Sequence, residues 1–375
     1  MLRPTHLEVD LERIAANYRA IQTHVGTVPV MPVVKANAYG HGLVPVGRLF
    51  ADLGVPYIGL AYLEEGMRLR EEGITTPILV LGGILGRQIP LFLEHDLALT
   101  ASSVDKLEAI DACAAEMGRT AKVHLKIDTG MERLGVHWYS AEALLEASLR
   151  CRHLEVEGIF SHFANADAED LAHARLQLER FAEVLRFYED RSLPLPLRHM
   201  ANSGAVAQLP ESWLDLVRPG ILLYGVYPSD ECRRTVPVLP AMNWKSKVVY
   251  FKVVKPGHPV SYGSTWQSDH QVRMVTVPVG YGDGYPRRMS GRAEVLLRGR
   301  RYPVVGRICM DQVMVNIEWD SAYNDDEVIL LGNGDDEIIT VEELARWAGT
   351  IPYEILTGIN TRVPRVYRNE RSSQP

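Results

Sequence analysis

At 375 residues the chain is long enough for two domains, and 46% hydrophobic with 23% charged residues excludes a disordered or fibrous protein. A net charge of −7 and a pI near 6.0 exclude general nucleic-acid binding. The cysteines Cys113, Cys151, Cys232 and Cys309 form no CxxC pair, which excludes structural zinc and a disulfide framework and points to reduced thiols.

The first residues, MLRPTHLEVDLERIAANYRAI, carry acids where a secretory signal needs an apolar core. The longest apolar run, PILVLGGILG, is far shorter than the ~20 residues that span a bilayer, so no membrane partner and a cytoplasmic location are expected. The first two-thirds then alternates β-rich runs with helical patterns. Eight candidate strands appear in order: VMPVVK, YIGLA, PILVL, LALTA, KVHLKID, VEGIFSH, PLRHMAN and LDLVRPG. Between them lie segments such as SVDKLEAIDACAAEMG, opened by a serine cap, closed by glycine and apolar at helical spacing. Eight such alternations imply parallel strands and predict a (β/α)8 barrel of the TIM type over residues 1–235. A doubly wound sheet is the alternative, but no GxGxxG follows the first strand.

The pattern changes through YGVYPSDECRRTVPVLPA. Beyond it WKSKVVYFKVV, VRMVTVPVG, AEVLLRGRRYPVVG and DQVMVNIE read as strands, and only TVEELARWAG, with Thr340 as N-cap, reads as a helix. Residues 236–375 are therefore expected to form a mostly β domain.

In a barrel of this type reactive groups sit at the C-terminal ends of the strands. Lys35 ends strand one, Lys126 and Asp128 end strand five, and His162 ends strand six. Asn202 and Ser203 end strand seven, and Arg218, followed by Gly220 and Ile221, ends strand eight. A site at this rim follows. Lys35 is either an anion holder or a nucleophile; the company of Arg218 and Lys126, with no acid beside it in the sequence, favours its free amine, the form that condenses with a carbonyl. The amides of Gly220 and Ile221 and the hydroxyls of Ser203 and Tyr39 are candidates to hold a phosphate. An imine-forming lysine beside a phosphate cradle points to pyridoxal 5'-phosphate. The DTG at Asp128 has no second copy, so it does not support an aspartic protease.

VVKANAYGHG resembles the cofactor-lysine motif of the alanine racemases, and HLKIDTGMERLG, FSHFANAD, ANSGA, RPGILLYG, SYGSTW, GYGDGYPR, GRICMDQ and RVPR follow in that family's order. The resemblance implies a pyridoxal-phosphate-dependent barrel enzyme with a β domain. It implies a homodimer whose active sites are shared, the β domain completing the site of the partner subunit. It further implies racemisation of alanine by two bases, Lys35 and Tyr262, supplying D-alanine for peptidoglycan, with His162 linking the tyrosine to the cofactor region. Arg133 and the Met310 amide would meet the substrate carboxylate, with Asp311 alongside in the catalytic set and Lys126 as a carbamylated lysine. Arg218 would face the pyridine nitrogen, and no metal is implied. A guanidinium does not protonate that nitrogen, which favours return of a proton over transamination. Thr361 stands where many members carry tyrosine, leaving a broader alanine/serine racemase as an alternative. A decarboxylase of the same fold is the remaining enzyme rival.

Overall fold

A computed structural model describes residues 2–334 and 336–368. The chain divides into two compact units, residues 14–239 and residues 1–13 with 240–375.

The first unit is the barrel. Its parallel ladder runs through Ile58–Leu60, Ile78–Val80, Leu99–Ala101, Ala121–Asp128, Leu154–Phe160 and Leu197–His199. Single parallel bridges complete the circle: Val33 with Gly59, Leu79 with Ala98, His199 with Leu216, and Val30 with Val217. All eight segments coincide with the runs read from the sequence. The helices between them lie where the periodicity puts them. Val104–Glu116, for example, starts at the Ser103 cap, whose hydroxyl accepts the Lys106 amide at 3.2 Å, and buries Leu107, Ile110 and Ala114. The strand 121–128 is buried on both faces after its second residue, as a parallel strand between helices and barrel interior must be.

The second unit is built on one mostly antiparallel sheet. Its strands run in the order 250–254, 272–277, 313–316, 300–305, 294–297, 327–333, 242–247, 6–10 and 365–368. Here the expected boundary of 1–235 and 236–375 needs correction. The N-terminal strand His6–Asp10 lies in this sheet, antiparallel to Met242–Lys247 and parallel to Arg365–Arg368. Leu7 and Val9 are fully buried there, while Glu8 pairs with Lys245 and Arg368. Helix Val341–Ala348 has the expected Thr340 cap, with Glu343 completing a reciprocal capping box. A second helix, Pro352–Gly358, was not anticipated; proline in its first turn and seven residues leave little periodicity to read. All four cysteines are free, and no helix among the described residues is long and apolar enough to cross a membrane.

Candidate active site

The site begins at the end of the first barrel strand. Immediately after Lys35, Ala36, Asn37, Ala38 and Tyr39 all have positive φ, between 52° and 56°. A left-handed turn of non-glycine residues costs roughly 1–2 kcal/mol per residue and persists only where its surroundings hold it. Glu65 is one such hold: its carboxylate accepts the Ala36 amide at 2.6 Å and the Ala61 amide at 2.9 Å. Asn37 accepts the Leu43 amide at 2.8 Å, and the Tyr39 ring packs on Tyr224 with centroids 5.1 Å apart. The turn leaves the Lys35 side chain facing a cavity of about 310 Å³ that is also lined by Lys126, Arg133, Phe160, His162 and Arg218.

Four of those six side chains are lysine or arginine; Lys126 and Arg218 are buried, Lys35 is partly buried and Arg133 is exposed. Burial lowers the Lys35 pKa, Arg133 and Arg218 lower it further, and Glu65 opposes them. Lys126 is pulled down to about 7 by burial and then by Arg218, with Asp128 opposing. Its ammonium stands 4.9 Å from the Phe160 ring centre, over the same ring that Arg218 covers at 5.3 Å. Burial, reinforced by Arg218 and Lys126, holds His162 far below the usual histidine range, so its imidazole is neutral. Its Nδ1 then accepts from Arg218 Nη2 at 3.3 Å. Arg218 remains the fixed cation, donating to the carbonyls of Ser161 and Met200 at 2.8 and 3.2 Å.

Asp128, read from the sequence as a rim group, serves the loop instead. Its carboxylate accepts the amides of Gly130, Met131 and Arg133 at 2.8, 2.9 and 3.1 Å. Burial opposes its ionisation, but these donors outweigh it and keep its pKa low. The loop bonds position Arg133.

A second cluster adjoins the Lys35 turn. Ser203 Oγ accepts the Gly220 amide at 2.9 Å. A Cβ on Gly220 would lie 2.1 Å from the Tyr39 hydroxyl, so only glycine lets that hydroxyl reach this backbone. Two hydroxyls thus converge on Gly220, and Ser203 Oγ also accepts the Leu222 amide at 3.4 Å. Asn202 Oδ1 caps the next helix by accepting the Ala205 amide at 3.1 Å.

Tyr262, Met310 and Asp311 belong to the β unit. Tyr262 stands 71% exposed in a short turn between Ser261 and Gly263, both at positive φ. Ser261 donates to the Arg307 carbonyl at 2.6 Å, tying that turn to the segment leading to Met310. The glycine-rich GYGDGYP closes around buried Asp283, and the amides of Tyr281 and Gly282 bond the carbonyls of Cys309 and Met310 at 3.0 and 2.9 Å. Asp311 pairs with Arg362 at 2.5 Å, beside the exposed Thr361.

Sequence reasoning missed Glu65, whose contact with the Lys35 turn spans 29 positions. Its only local signal is the third position of a helix, after Tyr62. It also missed Phe160 and His199, whose rings stack at 4.8 Å beneath the cations. The alternation of His124 and Lys126 along strand 121–128 puts both on one face, which is the local signal for that layer.

Two family models match the chain: "Alanine racemase, N-terminal domain" over residues 9–228 and "Alanine racemase, C-terminal domain" over residues 241–367. The chain is 43% identical over 369 residues to a protein named alanine racemase 2 from Caldanaerobacter subterraneus, covering 98% of this chain and 95% of that one. It is also 43% identical to the alanine racemase of Carboxydothermus hydrogenoformans, covering 98% and 100%. Among solved structures it resembles an alanine racemase of Clostridium difficile, with a TM-score of 0.93, 36% identity and coverage of 100% and 98%. Another is the Bacillus anthracis alanine racemase with bound L-Ala-P, with a TM-score of 0.93, 36% identity and coverage of 100% and 97%.

Glu65→Ala leaves the exposed Ala36 amide and the half-buried Ala61 amide without their charged acceptor, and a hydrogen bond to a charged group is worth about 1.5–3 kcal/mol. Binding of pyridoxal 5'-phosphate, followed by its absorbance, is expected to weaken about tenfold. Unchanged affinity would show that the turn holds its shape without the carboxylate.

Proposed function

The chain belongs to the alanine racemase family, and from that premise we propose how its own residues interconvert L- and D-alanine. The observation that carries the reading is the cavity in which Lys35, kept toward its free amine, meets a neutral His162 and the fixed cation Arg218. When bound, pyridoxal 5'-phosphate supplies the electron sink that makes the alanine α-proton removable. The residues present fit that group: Lys35 offers the amine, Ser203, Tyr39, Gly220 and Ile221 offer phosphate donors, and Arg218 offers a ring-nitrogen partner that cannot give up its proton.

Racemisation takes a proton from one face of the α-carbon and returns one to the other. Two bases on opposite faces do this without moving the substrate. Lys35 Nζ is assigned to the proton of D-alanine and the Tyr262 hydroxyl to that of L-alanine. Arg133 binds the substrate carboxylate, aided by the Met310 amide, and Asp311 steadies that segment through Arg362. Lys126, pulled down to about 7, exists in substantial part as the amine that can add CO2 and release a proton. The resulting carbamate would place a negative charge beside Arg133 and orient it. His162 bridges the tyrosine and Arg218. The chain acts in the cytoplasm as a homodimer, and the exposure of Tyr262 supports its service to a partner's barrel.

Incubation of the protein and cofactor with L-alanine is expected to yield D-alanine until the two are equal. Release of CO2 in place of D-alanine would identify a decarboxylase instead. Tyr262→Phe is expected to slow solvent-deuterium exchange into L-alanine at least a hundredfold more than exchange into D-alanine. Equal slowing in both directions would refute the assignment of faces.

Shared sites predict complementation. Lys35→Ala dimers and Tyr262→Phe dimers are each inactive, but subunit exchange creates hybrids with one intact site. Recovery of up to about a quarter of wild-type activity is expected from random pairing. No recovery after proven exchange would place both bases in one chain.

A further inference from the structure

A line of three polar side chains, Glu157, His124 and His199, leads through the barrel interior to Arg218, where apolar packing is the rule. Arg218 Nη1 lies 2.8 Å from His199 Nδ1. His199 Nε2 lies 2.8 Å from His124 Nδ1. His124 Nε2 faces Glu157 Oε2 at 3.6 Å, and neither of these two buried atoms has a hydrogen-bond partner among the described residues. Both imidazoles are fully buried.

The direction of every link is fixed by one end. A guanidinium only donates, so His199 Nδ1 carries no proton. The His199 proton therefore sits on Nε2 and is donated to His124 Nδ1. That leaves the His124 proton on Nε2, aimed at the carboxylate. Burial lowers the pKa of both histidines, which agrees with two neutral rings. Glu157 stays ionised, since contacts with His124 and Tyr57 outweigh its burial.

The backbone is shaped for this line. In the pairing of strand 154–160 with strand 121–128, Val123 faces Val156 and His124 faces Gly158, so Glu157 is the extra residue of a β-bulge. A bulge re-aims a side chain that regular alternation would place elsewhere. Gly158 clears the space: a Cβ there would lie 2.2 Å from His124 Nδ1.

We propose that Glu157 is a positioning residue for the racemase reaction, the terminal acceptor that holds His124 and His199 head to tail and so fixes the Arg218 guanidinium from below. The kinetic consequence rests on the alanine racemase reading; the tautomers rest on the barrel alone. Glu157→Leu removes the acceptor at similar volume, whereas Glu157→Gln keeps an oxygen that can accept from His124. Nitrogen-15 spectra of the cofactor-free protein read the tautomers directly. Wild type and Glu157→Gln are expected to show neutral His124 and His199 with the proton on Nε2. Glu157→Leu is expected to leave the His124 Nε2–H without its acceptor, to shift the nitrogen-15 resonance of that nitrogen, and to lower kcat for L-alanine about tenfold, with KM within about threefold and Glu157→Gln near wild type.

Wild-type His199 protonated on Nδ1 would overturn the proposal even if Glu157→Leu failed to fold. So would a Glu157→Leu variant with wild-type His124 resonances and kcat, or a Glu157→Gln variant as impaired as Glu157→Leu. If wild type does not racemise alanine, the functional reading fails, while the tautomer measurement still decides the chain of hydrogen bonds.

Discussion

Four cationic side chains, Lys35, Lys126, Arg133 and Arg218, open onto one cavity, and holding them together with Lys126 and Arg218 buried is what the barrel unit must accommodate. Proximity of like charges and loss of hydration act in the same direction on the two lysines. The arginines hold their protons, so Lys35 and Lys126 are shifted toward their amines and His162 is neutral. The two nearby carboxylates do not neutralise the group by direct pairing. Glu65 is occupied with the amides around the Lys35 turn, and Asp128 with the loop that carries Arg133. Both spend their lone pairs on backbone, which fixes the positions of the bases and cations. The charge stays available for an anionic ligand.

Holding Arg218 is the second half of the same constraint. Among the described residues it makes no ion pair with a carboxylate, and is fixed by two carbonyls and two imidazole nitrogens. Those neutral acceptors let it keep its charge toward the cavity. The stacked rings of Phe160 and His199 give that cation and Lys126 an aromatic floor. The β unit meets a different demand. Tyr262 is displayed on a turn at positive φ, and Met310 is braced through the amides of Tyr281 and Gly282.

Much of this was legible in the sequence because parallel strands buried on both faces leave continuous apolar runs. All eight barrel strands could be read in that way, and the polar residue ending each run gave Lys35, Lys126, His162 and Arg218. The order of motifs gave the family. What escaped had no local signature. His6–Asp10 reads as an ordinary strand, and only pairing with residues 242–247 and 365–368 assigns it to the β unit. Asp128 and Asn202 sit at strand ends as expected, but their oxygens are taken by nearby amides, which residue type alone does not reveal. The bulge at Glu157 shifts alternation by one residue, a change that periodicity cannot register from one strand.

The central claim is that burial and the neighbouring arginines lower the Lys35 pKa and so favour its free amine. Its direct test is the titration of the Lys35 ε-amine in the cofactor-free protein, followed by carbon-13 labelling of the lysines, in wild type and in Arg133→Met. The account predicts a Lys35 midpoint below the ordinary lysine range in wild type, moving upward when the Arg133 charge is removed. An ordinary midpoint in wild type, unmoved by that substitution, would contradict it.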